Sequence, residues 1–139
     1  MIVAAVGESD RSEQVVAEAD ALADAFDEET HVVHVLSPME ARKIEQNATE
    51  NSTMELDDDP DDGEEAAREI AAAATVGSGA TPVGLVGKAS ERIIAYADEH
   101  DARYVVVGKR KRSPTGKAVF GSVTQSVLLN ADQPVLSVM

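Results

Sequence analysis

The chain has 139 residues, 43% of them hydrophobic, enough for one buried core and expected to form one domain over 1–139. It carries 26 acidic against 12 basic side chains, a net charge of −14 that would repel the phosphate backbone of a nucleic acid. Cysteine is absent, which excludes a disulfide framework and a thiolate metal site, and no apolar run approaches the ~18 residues of a membrane span.

The opening MIVAAVG has no basic n-region and is too short for a signal sequence, so a soluble cytoplasmic protein is expected. The excess acid reads as a solvated surface, the composition of a cytosolic protein from a salt-loaded cell. Ile2 to Val6 is an apolar run closed by Gly7 and reads as a buried strand. Asp10 and Glu13 have capping-box spacing, and Val15, Val16, Ala19, Leu22, Ala23 and Phe26 follow at helical spacing. A helix is expected from Asp10 to Phe26. His31 to Leu36 reads as a second strand. Ser37, Pro38 and Glu40 supply an N-cap, a proline at the first helical position and an acid at the third. Residues 47–62 are polar, contain ELDDDPDDG and read as a loop. Helices are expected over Glu64–Val76, Ser90–His100 and Gly121–Asn130, and strands over Pro82–Val86, Tyr104–Val107 and Pro134–Val138. Strands alternating with helices predict an α/β fold with a parallel sheet and right-handed crossovers.

The stretch VVVGKRKRSPTGKAVFGSVT leaves the carboxyl end of the fourth strand, where doubly wound sheets bind ligands. Five of the chain's twelve cations lie between Lys109 and Lys117 with no acid among them. Gly108, Gly116 and Gly121 permit close backbone approach, and Gly121-Ser122 opens a helix whose free N–H groups favour an anion. Ser122 and Thr124 add hydroxyl donors. A phosphate site and an ordinary capped surface loop are both open on these features. The spacing is not that of a P-loop, Gly77-Ser78-Gly79 ends a helix rather than following a strand, and there is no G-x-S-x-G elbow.

Over almost its whole length the chain resembles the universal stress proteins, as a haloarchaeal-type acidic member. The family's motif Gly-x-x-Gly, nine residues, Gly-Ser/Thr is matched by Gly108-Lys109-Arg110-Lys111, nine residues, then Gly121-Ser122-Val123-Thr124. The opening IVAAVG and the ending PVLSVM match the family's first and last strands. The resemblance implies a doubly wound, five-stranded Rossmann-like parallel sheet of the adenine nucleotide alpha hydrolase-like type, with strand order 3-2-1-4-5. It implies a regulatory stress-response module that binds ATP or AMP, with Mg2+ accompanying ATP. Gly108, Arg110, Lys111, Gly121, Ser122, Val123 and Thr124 would contact phosphate and ribose, and Ala5 and Val35 would lie near the base. It also implies a homodimer through the last strand, Val135 to Met139. Two positions depart from the pattern. Lys111 replaces the motif's second glycine, where a left-handed backbone would cost a lysine about 1 kcal/mol or more; alternatively it reaches a phosphate itself. Val6 stands where ATP-binding members usually carry an aspartate facing the adenosine.

No residue set supplies a nucleophile, a base and its orienter, so a binding or signalling role is expected, with at most slow ATP hydrolysis. The alternative is a nucleotide-independent dimeric interaction protein with a degenerate ATP site. His34 is expected to pack as a neutral imidazole beside the sheet and His100 to face a helix C-terminus. No histidine pair has metal spacing. Eight acids lie between Glu55 and Glu65. This stretch either solvates independently or approaches the basic Lys109–Lys117 stretch as a salt-sensitive latch.

Overall fold

A computed structural model describes residues 1–7, 11–51, 61–108 and 121–138. The elements run β1 (Ile2–Ala5), α1 (Ser12–Phe26), β2 (Thr30–Leu36), α2 (Pro38–Asn51), α3 (Asp61–Ala74), β3 (Thr81–Val86), α4 (Ala89–Glu99), β4 (Tyr104–Gly108), α5 (Ser122–Asn130) and β5 (Val135–Val138). The five strands form one parallel sheet in the order β3-β2-β1-β4-β5, the order that the resemblance implies. Ala5 pairs with Val33 on one side and Val107 on the other, so β1 lies at the centre.

The apolar runs become central strands because both of their faces are covered. Ile2, Val3, Ala4, Val32, Val33, Val105 and Val106 are fully buried. Alternation divides them between two cores. Ile2, Ala4, Val6, Val32 and Val106 meet Val15, Val16, Ala19 and Ala23 of α1 and Ala71 of α3. Val3, Val33, Val105 and Val107 meet Ile93 and Ala97 of α4 and Val127 of α5. The helices therefore cover opposite faces, and the chain leaves β1 and β4 toward opposite sides. That divergence makes the gap between their carboxyl ends the topological switch point.

Ser37 and Glu40 form the expected capping box. The Ser37 hydroxyl accepts the Glu40 N–H at 3.1 Å, and the Glu40 carboxylate accepts the Ser37 N–H at 3.4 Å. Two expectations need correction. The stretch 47–62 is helical at both ends, since α2 runs on to Asn51 and α3 starts at Asp61. Ala41, Arg42, Lys43, Glu45 and Gln46 are strong helix formers that carry α2 onward, and Asp61 and Asp62 suit a helix N-terminus. Residues 52–60, with most of the acidic stretch, lie outside the described residues. Finally, α1 begins at Ser12 with Arg11 as its N-cap and no side-chain cap. Asp10, expected in that role, lies outside the described residues. Ser12 instead turns its hydroxyl back to donate to the Gly7 carbonyl at 2.6 Å.

At its other end α1 closes on Asp27, whose φ of 54° is left-handed, with its N–H directed at the carbonyls of Ala23 and Asp24. A side chain there is strained, and a carboxylate faces the negative end of the helix dipole. Asp27→Gly removes both penalties and is expected to raise unfolding free energy by about 1 kcal/mol. Urea denaturation at neutral pH measures it, and an unchanged or lower midpoint contradicts it.

Candidate functional site

At the switch point β4 ends on Gly108. A Cβ at Gly108 would lie 3.0 Å from Val15 Cγ2, so α1 packs directly on the strand end and leaves little room for any side chain. Thr124, in the first turn of α5, is buried and donates its hydroxyl to the Gly108 carbonyl at 2.9 Å. This bond fastens the start of α5 to the end of β4. Gly121 is the N-cap of α5, with extended backbone and no side-chain cap. The first intrahelical bond runs from Gln125 N–H to the Gly121 carbonyl at 3.0 Å. The N–H groups of Ser122, Val123 and Thr124 therefore have no partner within the helix. Ser122 and Val123 are exposed. Among the described residues nothing caps this positively polarised helix end, which is held against a strand end and suits an anionic oxygen.

Ala5 ends β1, and Val35 lies one residue before the end of β2, opposite Leu85 of β3. Both are half-buried and share the face covered by α4 and α5. The structure thus gathers Gly108, Gly121, Ser122, Val123 and Thr124 at the end of β4, while Ala5 and Val35 lie toward β2. Arg110 and Lys111 lie outside the described residues, as does the whole basic stretch from Lys109 to Lys117. Val6 is buried, 8% exposed, and continues the apolar side of β1, so its side chain offers no hydrogen bond.

Sequence reasoning missed what holds the end of β1. His34 Nδ1 lies 2.8 Å from the Val6 carbonyl and donates to it, which fixes the proton on Nδ1. His34 is half-buried beside the sheet, as expected, but its partner is sequence-distant backbone that no local pattern reveals. Ser12, which holds Gly7, falls inside the helix expected over Asp10–Phe26, and no local pattern marks its bond to Gly7. His100 caps α4, with Nδ1 2.9 Å from the Tyr96 carbonyl, so the expected placement at a helix C-terminus is found. Among the described residues no group of three or more His, Asp or Glu side chains converges as a metal site. Nor is any described helix long and apolar enough to cross a membrane.

A profile described as the universal stress protein family matches residues 1–138. The chain belongs to the universal stress protein family. A universal stress protein from Archaeoglobus fulgidus has a similar structure, with a TM-score of 0.72, 33% identity, and 99% of this chain and 97% of that one covered. A structure of the universal stress protein from Archaeoglobus fulgidus in complex with dAMP is similar at 28% identity and a TM-score of 0.62, covering 99% and 96%. A universal stress protein from Mycolicibacterium smegmatis is 44% identical over 57 residues, 41% of this chain and 42% of that protein. This local match spans less than half the relative's length. The strand order β3-β2-β1-β4-β5 agrees with that membership.

Proposed function

We propose that this universal stress protein, as one module over 1–139, is a regulatory stress-response protein that binds ATP or AMP at the end of β4 and the start of α5. The observation that carries this reading is the open N-terminus of α5, fastened to Gly108 through Thr124. It presents at the switch point the backbone N–H groups of Ser122 and Val123, which have no partner among the described residues. The similar structure in complex with dAMP supports an adenine nucleotide as the ligand class. The donors fit phosphate oxygens. Arg110 and Lys111 add charge to the same group, and Ala5 and Val35 flank the base. Mg2+ would accompany ATP, and among the described residues no carboxylate cluster stands ready to hold it. The module's work is binding and signalling, with ATP hydrolysis at most slow.

Phosphate dominates this recognition, because the donors are backbone N–H groups and Val6 supplies no adenosine anchor. ATP is expected to bind more tightly than adenosine, with GTP competing almost as well. Competition calorimetry at fixed salt tests it. Tight, adenine-selective binding would show that the base is anchored elsewhere. Absence of binding to any of the three would favour the second reading, a nucleotide-independent dimeric interaction protein with a degenerate site. The buried Val6 is the observation on that side.

Under either reading the chain pairs with a second copy through β5. That strand lies at the edge of the sheet and carries no charge from Val135 to Val138. Leu136, Leu128 and Leu129 near it are exposed. An unprotected apolar edge favours pairing with its copy. Light scattering at micromolar protein in high salt should give a dimer mass; a monomer throughout contradicts this.

A further inference from the structure

A cavity of about 400 Å³ opens at the opposite end of the sheet, where β2 and β3 begin. Asp20 and Asp24 of α1, Glu28, Glu29 and Thr30 of the turn into β2, and the 77–81 turn into β3 line it. No Lys, Arg or His is among its lining residues. The wall is braced. Ser78 Oγ donates to the Asp20 carboxylate at 2.7 Å and accepts the Ala80 N–H at 3.1 Å, which ties the β3 turn to α1.

The four acids are not equivalent. Glu28 has countercharges, with Arg103 Nε at 2.7 Å and the Met1 ammonium at 3.3 Å. The Arg103 hydrogen bond, with the Met1 ammonium helping, holds its carboxyl below the usual glutamate range. Among the described residues Asp20 receives only a neutral hydroxyl. Glu29 is 83% exposed and meets only His31 Nε2, at 3.5 Å. Asp24 makes no ion pair among the described residues. Three carboxylates thus border one cleft without an adequate countercharge among the described residues.

An independent observation points the same way. Thr30 is only 6% exposed, and its Oγ1 makes no hydrogen bond. Thr30 lies on the same strand face as Val32, the side covered by α1 and α3, and lines the cleft together with Asp20 and Asp24. Buried hydroxyls ordinarily have partners. We propose that this cleft binds a small organic cation bearing one or two primary ammonium groups, with Asp24, Asp20 and Glu29 as its countercharges and Thr30 Oγ1 as an acceptor. An alkylammonium suits the site better than a bare divalent ion. The carboxylates are spread around the cleft and do not converge as metal ligands, and the volume is that of a small-molecule pocket.

This inference is independent of the nucleotide reading, because the cleft lies at the other end of the strands. The test is titration of 1,4-diaminobutane into the full chain at constant ionic strength, followed by amide shifts in 1H–15N spectra. Saturable shifts of Thr30, Ser78 and Thr81 are expected, with equal ionic strength of MgCl2 failing to reproduce them. Asp24→Asn and Thr30→Val should each weaken binding roughly tenfold, the scale of a lost hydrogen bond to a charged group. Asp24 is exposed, so its variant keeps the fold and decides alone if Thr30→Val does not. Identical shifts with MgCl2, or parental affinity in Asp24→Asn, would overturn the proposal.

Discussion

Replacing Gly84 with alanine will lower the unfolding free energy by about 3 kcal/mol or more, at the severe end of overpacking effects. Gly84 sits in the middle of β3, under α3. A Cβ there would collide with the backbone of Glu64 and Arg68 and approach the Ala67 carbonyl carbon to 2.8 Å. These are main-chain atoms of a helix and cannot rotate aside. The small residues Ala67 and Ala71, both fully buried, let α3 come this close. The extra methyl must therefore push the whole helix off β2 and β3. Gly79→Ala is the control, since nothing lies within 4 Å of a Cβ there, and it should be nearly neutral. Urea denaturation of both variants measures the contrast. A Gly84→Ala midpoint equal to that of Gly79→Ala would show that α3 does not dock as described.

Thr124→Val is the second large effect, and it links packing to function. Valine fills nearly the same volume but cannot donate to the Gly108 carbonyl. Losing a hydrogen bond to this half-buried carbonyl costs about 1–3 kcal/mol. The functional consequence follows from geometry. With that bond gone, the first turn of α5 is no longer fixed over the end of β4, and its N–H groups lose their shared aim. ATP affinity should fall roughly tenfold, about 1.4 kcal/mol, while adenosine affinity changes less. Ser122→Ala, at an exposed site, should leave stability within about 0.5 kcal/mol of the parent. Paired calorimetric and denaturation measurements separate the two roles. Equal losses for ATP and adenosine would mean that Thr124 does not position phosphate donors.

What the sequence revealed and what it hid divide along physical lines. Runs such as Val32-Val33 and Val105-Val106-Val107 announce buried strands because each residue packs regardless of distant detail. Most element boundaries lie within one or two residues of expectation for the same reason. The Ser37–Glu40 box was legible because both partners lie within one turn. The start of α1 was misread because Asp10 and Glu13 have the right spacing, yet Arg11 takes the N-cap. Strand order came from resemblance, since hydrophobic period carries no information about which strand lies beside which. The bonds His34 to Val6 and Thr124 to Gly108 join residues brought together only by the sheet and its crossovers. The role of Gly84 was equally hidden, because the clash depends on the docking of a helix twenty residues earlier. The nearest sequence signal was a glycine inside an apolar strand, which often marks close backbone approach.

The central claim is that nucleotide phosphate is held by the start of α5 at the end of β4. An ATP titration read by 1H–15N amide shifts tests it most directly. The amides of Gly108, Gly121, Ser122, Val123 and Thr124 should move together and saturate. Thr30 and Ser78, at the far end of the sheet, should stay unmoved. Still amides from Gly121 to Thr124 at saturating ATP, or shifts centred on the far end, would contradict it.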